Sequence, residues 1–521
     1  MQRPISDPDY RLNWNSTRTG WIPLALGLSA VILLWDLLEL PQILSFSEFA
    51  FWDPGSNLTI SYLMSHGYRP VIDFGYHYGL LGILADVAWF RAVPLTPIGY
   101  QAACIVCQLG VACAVARIAR ALEFGLLQSI FLFVAIGRAV IPTYFNIAHG
   151  LEAVLICFAV AEQARGARAN ALALTTAAVF AKPSMGFVYS GLLLTLTIVD
   201  FCRGRIVAPR SWFNQLQPAL LVAISLSAIL GIKFGFDVLW QTALPITGMG
   251  AYRTQNLGFF TAGSGFWHPV GVKANWHYYL QFYATGMIGL WAGATAYLIW
   301  GAITAARWLW EDLGTKPDSV KARRDEIVFS CALLHLTFIF FFFGNADSWI
   351  YYSYLLIAGT AAVPVDSRLY RNALCAIIVL GACTCYGLIA GSVWAWRTMS
   401  RTAATADLWS TPQLQDEWSR ILAISKGRRT AVLHYSGAVE ILYPQFERPT
   451  GVYFTPGLVS PRQAEREAAR IESAGVVVLQ YLPGWGGFAL TPATERALAR
   501  FKQIDFKQID KGVYFSVYER R

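Results

Sequence analysis

The chain has 521 residues, 55% of them hydrophobic and 14% charged, with a mean hydropathy of +0.44 and a formal net charge of +9. Soluble domains carry about 25% charged residues, so this composition excludes an ordinary soluble protein and predicts a polytopic membrane protein. The positive charge is spread between apolar segments, in the manner of the positive-inside rule, which excludes a concentrated nucleic-acid-binding patch.

The first apolar run, 21–44, contains Asp36 and Glu39 and has no small-residue cleavage site, so it is expected to be a retained anchor. Further spans are predicted near 79–94, 97–116, 126–145, 149–164, 169–181, 185–202, 216–232, 278–306, 327–343, 349–365 and 372–395. The fold class is therefore a polytopic α-helical membrane protein with about 11–13 transmembrane helices. All nine cysteines lie in or beside apolar segments, which argues against a disulfide framework. Cys104 and Cys107 form a lone CxxC inside one such segment and are expected to be small packing residues, with no metal or redox role.

Arginines mark the turns. Arg117 and Arg120, Arg165 and Arg168, Arg203 to Arg210, Arg307 to Arg324, and Arg368 with Arg371 are all placed in the cytoplasm by the positive-inside rule. Residues 44–78, the His149/Glu152 turn, the Lys182 turn, 233–277 and the tail after Arg397 then lie outside. Segments 79–94 and 97–116 cannot both cross under this scheme. The 79–94 segment is short and carries Asp86 and Arg91, so it is expected to be the irregular one, re-entrant or interfacial.

The chain divides at about residue 400. Residues 1–400 form the transmembrane domain, with outer loops 44–78 and 233–277, and 401–521 form an extracytoplasmic domain. In that tail "RTAVLHYS", "GVVVLQYL" and "GVYFSVYER" read as strands. "PRQAEREAARIESAG" reads as a helix with Ser460 as cap, Pro461 at its first position and Gly475 as its stop. Strands alternating with a helix predict a small soluble α/β domain.

The densest polar cluster follows the first span, in "FWDPGSNLTISYLMSHGYRPVIDFGYHYG". Asp53, at the membrane interface, can act as general base on an incoming hydroxyl; equally, Asp53-Pro54 is a good helix start. Arg69 can grip a phosphate or carboxylate, Asp73 can orient Arg69 or a sugar hydroxyl, and Tyr78 can stack on a sugar, with His77 between the aromatics. An interfacial loop tied by its own Arg69–Asp73 pair reads the same way. His149 and Glu152 share one helix face at i, i+3. Lys182 can neutralise a phosphate or simply snorkel to the interface. In the long outer loop, Arg253, His268, Lys273 and His277 sit among aromatics.

The "DPG" and "GYRPVIDFGYHYGLLG" segments resemble the first outer loop of GT-C glycosyltransferases, in the bacterial branch related to protein O-mannosyltransferases and lipid A aminoarabinose transferases. The resemblance covers about residues 20–200. It implies that Asp53 is the acidic residue of that loop, the catalytic base; the family's usual second acid is replaced by Pro54. "PTYFNIAHGLEAVLICFAV" matches the family's later acid at Glu152, and "FAKPSMGF" resembles its Thr-Lys-x-x-x-Gly at Lys182. The implied activity is transfer of a monosaccharide from a polyprenyl-phosphate carrier to a glycan, lipid or protein acceptor outside a bacterial inner membrane. No cofactor and no metal are expected, nor any nucleic-acid partner. The competing classes are a secondary transporter or flippase, expected to show related halves with broken helices, and a membrane-anchored assembly protein, in which Asp53 and Glu152 would be dispensable.

Overall fold

The computed structural model describes residues 20–44, 53–76, 78–139, 147–202, 209–243, 287–311, 319–342, 353–398, 412–433, 441, 446, 461–481, 492–509 and 513–521. The membrane part contains α1 (Ile22–Leu44), α2 (Asp53–Ser65), α3 (Leu80–Ala92), α4 (Pro97–Ala121), α5 (Leu126–Ala139), α6 (Ile147–Ala164) and α7 (Arg168–Ala181). It continues through α8 (Pro183–Cys202), α9 (Pro209–Phe234), α10 (Phe236–Ala243), α11 (Met287–Glu311), α12 (Val320–Phe342), α13 (Ser353–Ala362) and α14 (Arg368–Thr398). Among the described residues, α4, α6, α8, α9 and α14 each contain a stretch long and apolar enough to cross a membrane, and α1, α5, α11 and α13 contain shorter apolar stretches. This is a polytopic integral membrane protein, as its composition requires.

The bundle is held by close packing of small residues, because lipid tails are as apolar as the helices themselves. Ala112, Ala114 and Ala116 of α4 and Ala153, Ala159 and Ala161 of α6 are buried. A Cβ on Gly150 would lie 2.7 Å from Cys107 Sγ, so α4 and α6 meet with no room to spare, and Cys107 is a packing residue there. Leu221, Ile224, Ile232, Val379 and Trp394 point outward and supply the lipid-facing surface.

The described turns marked by Arg117, Arg165, Arg168 and Arg324 gather at one end of the bundle. Arg117 of α4 bonds Glu162 of α6 at 2.7 Å, and Arg165 bonds the same carboxylate at 2.9 Å. Arg168, opening α7, reaches Asp200 of α8 at 2.6 Å and Glu326 of α12 at 3.0 Å. Arg324 Nε donates to the Leu122 carbonyl at the end of α4 across 2.7 Å. Glu162 is 6% exposed, and buried carboxylates of this kind need such partners.

The 79–94 segment forms the 13-residue helix α3. At 1.5 Å per residue that is about 20 Å, short of the ~30 Å hydrocarbon core. Both of its ends dock at the end of the bundle opposite the arginines. The Gly79 N–H donates to the Ala181 carbonyl at the end of α7 (3.0 Å), and Trp89 Nε1 donates to the Gly99 carbonyl at the start of α4 (2.8 Å). The helix therefore lies across that end and does not traverse. With α4 as the next crossing helix, the conflict in the arginine scheme disappears. Ile60 and Leu63 of α2, Leu80 and Ile83 of α3, Phe180 of α7, Leu230 of α9 and Val238 of α10 share one apolar cluster, so the short helices form a cap over this end.

The tail folds as α15 (Pro412–Ser425), β1 (Thr430–Leu433), α16 (Pro461–Ser473), β2 (Val476–Tyr481), α17 (Pro492–Leu498), β3 (Phe501–Ile509) and β4 (Val513–Arg520). The sheet order is β1-β2-β4-β3, with β1 and β2 parallel and the β3–β4 pair antiparallel, bulged between Gln503 and Asp505. Helix α16 starts at Pro461 as expected; Ser460 lies outside the described residues. The Gly475 N–H donates to the Arg429 carbonyl and turns the chain into β2. Strand β3 was not anticipated. Among the described residues, Ile441 and Arg466 join this domain to the cap. Ile441 packs on the cluster of Leu58, Tyr100 and Ile147, and Arg466 Nη1 donates to the Ile72 carbonyl at 2.9 Å.

Candidate functional site

At the capped end the structure brings together four residues singled out from sequence. Lys182 occupies the turn between α7 and α8, where Pro183 opens the next helix. Its Nζ donates to His149 Nδ1 at 2.9 Å and lies 3.6 Å from Glu152 Oε2, an ion pair longer than a hydrogen bond. His149 and Glu152, one turn apart on α6, thus both face the same lysine. His149 Nε2 lies 3.4 Å from the Tyr78 hydroxyl, and the two rings meet edge to face with centroids 5.2 Å apart.

An ammonium has no lone pair, so His149 accepts through Nδ1 and carries its proton on Nε2, directed at Tyr78. Glu152 is 1% exposed, and its Oε1 accepts from the Met185 N–H at 3.0 Å and from Ser184 Oγ at 3.2 Å. These donors belong to the first turn of α8, so Glu152 occupies the positive end of that helix. Burial pushes the Lys182 ammonium down from its ordinary 10.5 to about 8, against the opposing pull of Glu152.

Tyr78 is brought in by the backbone beside it. A Cβ on Gly79 would lie 2.0 Å from the Phe180 carbonyl oxygen, so only glycine lets this strand of the loop lie on the end of α7. The Tyr76 hydroxyl donates to the Gly79 carbonyl at 3.3 Å, fastening the same turn.

Arg69 and Asp73 are joined to each other. The Arg69 N–H donates to Asp73 Oδ2 at 2.8 Å, Arg69 Nε lies 3.3 Å from the same oxygen, and the Asp73 N–H donates to the Arg69 carbonyl at 2.8 Å. Arg69 is 65% exposed, and the pair closes a turn of its own loop; neither residue joins the Lys182 chain of contacts. Asp53 is the first residue of α2, and its side chain lies outside the described residues, as do His77, Arg253, His268, Lys273 and His277.

Ser184 and the Met185 N–H were missed by sequence reasoning. The signal was present in "KPSM", because Pro favours the first helical position and the following N–H groups then point at an acid. Among the described residues, no group of three or more His, Cys, Asp or Glu is arranged to hold a metal ion.

No family model matches this chain, and no curated protein matches it. Among solved structures, the chain is similar to the crystal structure of ArnT from Cupriavidus metallidurans bound to undecaprenyl phosphate, with 12% identity, a TM-score of 0.50 and coverage of 96% of this chain and 98% of that one. The apo state of the same protein gives 13% identity and a TM-score of 0.49 over the same shares. At this identity the likeness shows the fold alone, a helical membrane protein of the same architecture.

Proposed function

With the GT-C fold as premise, we propose that this chain is a glycosyltransferase that takes a monosaccharide from a polyprenyl-phosphate carrier and delivers it to an acceptor outside the inner membrane. The observation that carries the reading is Lys182, a buried cation between His149 and Glu152 at the capped end of the bundle. The solved structure that shares the fold holds undecaprenyl phosphate, an anionic lipid of the class such a lysine suits. In this reading Asp53, at the start of α2, removes the proton from the acceptor hydroxyl. The hydroxyl oxygen attacks the anomeric carbon, the bond from that carbon to phosphate breaks, and the carrier phosphate leaves with the electron pair. Lys182 stabilises the charge that grows on the phosphate, a contribution of about 2–4 kcal/mol by analogy with oxyanion-hole donors. Tyr78 and His149 line the donor side, and Arg69, Asp73, His77 and Arg253 are candidate contacts for sugar or acceptor.

The test is native mass spectrometry of the gently purified wild type and Asp53→Asn, with and without added polyprenyl-phosphate sugars. Retention of an isoprenoid-phosphate sugar, enriched in the variant, together with loss of transfer, supports the reading. Absence of any isoprenoid lipid from both samples after donor addition overturns it.

A further inference from the structure

We propose that Arg466, in the C-terminal domain, is a positioning residue that holds the 66–79 loop in place over the candidate site, so that the soluble domain is part of the binding machinery. The proposal rests on the reading that this site takes a polyprenyl phosphate.

The loop is an unusual stretch of backbone. It leaves α2 through Gly67 at φ +81° and then closes a small ring in which Asp73 bonds the Arg69 N–H and Arg69 Nε. Inside that ring Val71 sits at φ +67°. A β-branched residue in the left-handed region is strained, and such strain persists only where surrounding contacts over-determine the backbone. Val71 and Ile72 pack on the apolar cluster of the cap, which steadies the ring from the membrane domain. Arg466 adds a polar contact from the soluble domain, donating Nη1 to the Ile72 carbonyl, between the strained residue and Asp73.

The far end of the loop is the part that matters for the site. Five residues beyond Asp73 comes Tyr78, which faces His149, and then Gly79, whose N–H is bonded to Ala181 beside Lys182. The segment between the strained turn and Gly79 is short. The membrane domain holds it at Gly79 and through Phe74 and Tyr76, both buried in the apolar cluster of the cap, and the soluble domain holds it at Ile72. Ile441 gives that domain a second seat, on Leu58, Tyr100 and Ile147, so Arg466 is presented from a docked body and not from a tethered one. Freed from Arg466, the strained turn can relax, and the segment leading to Tyr78 loses its polar hold on the soluble domain.

The experiment uses the full-length protein in nanodiscs, as wild type, Arg466→Ala and Arg466→Lys, with undecaprenyl phosphate as the probe. Hydrogen–deuterium exchange and binding are measured on the same samples. The expected result for Arg466→Ala is exchange about tenfold faster across 66–79, with α6 and the β2–β4 pair unchanged, and binding about tenfold weaker. Arg466→Lys, which keeps a cationic donor, recovers part of both. Unchanged exchange across 66–79 overturns the proposal. So does faster exchange with unchanged binding, which would leave the loop contact without influence on the site. Faster exchange throughout the C-terminal sheet overturns it as well, by making Arg466 a general stabiliser of its own domain. Failure of the wild type to bind the probe overturns the transferase reading instead, while the exchange data still decide whether Arg466 holds the loop.

Discussion

Lys182 and His149 meet through a single hydrogen bond of 2.9 Å, from a turn between two helices to the first turn of a third. That bond assigns the imidazole its neutral form with the proton on Nε2, and it ties the lysine's charge to the state of its neighbours. Glu152, 3.6 Å away on the other side, is itself committed to the first turn of α8.

The lysine makes binding of an anionic lipid dependent on pH. Lys182 loses its proton as pH rises through about 8, so undecaprenyl-phosphate affinity is expected to fall across that window. Arg, charged throughout, should remove the fall in Lys182→Arg while weakening the bond to His149. Stability of the ligand-free protein responds with the opposite sign. The folded pKa of about 8 lies below the ordinary 10.5, so the unfolded chain binds more protons between the two, and this group's contribution rises with pH over that interval. Affinity and melting temperature measured from pH 7 to 10 check both signs.

Breaking the buried pair from either side is expected to be costly. Glu152→Ala leaves Lys182 without its carboxylate and strips two donors at the start of α8, a loss of about 3–5 kcal/mol. Lys182→Ala alone should cost a comparable amount. The double variant should lose clearly less than the sum, because neither partner is then stranded. Thermal unfolding in detergent reads all three; strict additivity would show that the two residues do not act together.

Gly79→Ala should destabilise by about 1–3 kcal/mol or more, since its methyl would meet a backbone carbonyl that has no way to move aside. Gly67→Ala should cost about 1 kcal/mol, a penalty of the left-handed backbone alone, because the space around Gly67 is open. The difference between the two melting temperatures measures how tightly the loop is seated on α7.

At the arginine-rich end the expectation is separability. Glu162→Ala removes the shared partner of Arg117 and Arg165 and should cost about 3 kcal/mol of stability. Undecaprenyl-phosphate affinity should be unchanged in the protein that remains folded, because Glu162 sits at the other end of α6 from His149.

What could be read in the sequence follows from what is expensive in lipid. Charges are costly there, so arginine positions located the turns, and Glu152 and Lys182 were visible as ionisable residues at span ends. Their meeting with His149 and Tyr78 was foreshadowed only for His149 and Glu152, through helical spacing. Arg69 and Asp73 were ambiguous because a local ion pair and a ligand grip use the same residue types four apart. Strand β3, "FKQIDFKQI", hid because it mixes charged and apolar residues without a clean alternation. The Arg466 contact had no local signal at all, since 394 residues separate it from Ile72 and its acceptor is a backbone carbonyl.

The bond between the Gly79 N–H and the Ala181 carbonyl also sets a timetable. During synthesis α3 leaves the ribosome about a hundred residues before its docking partner. At ~5–20 residues per second, roughly 5–20 s pass before that bond can form. Asp86, 2% exposed in the finished protein, is a carboxylate on this apolar helix. A carboxylate on an apolar helix is costly to insert into lipid, so the same residue that makes α3 an awkward membrane span favours a place at the surface before α7 is made.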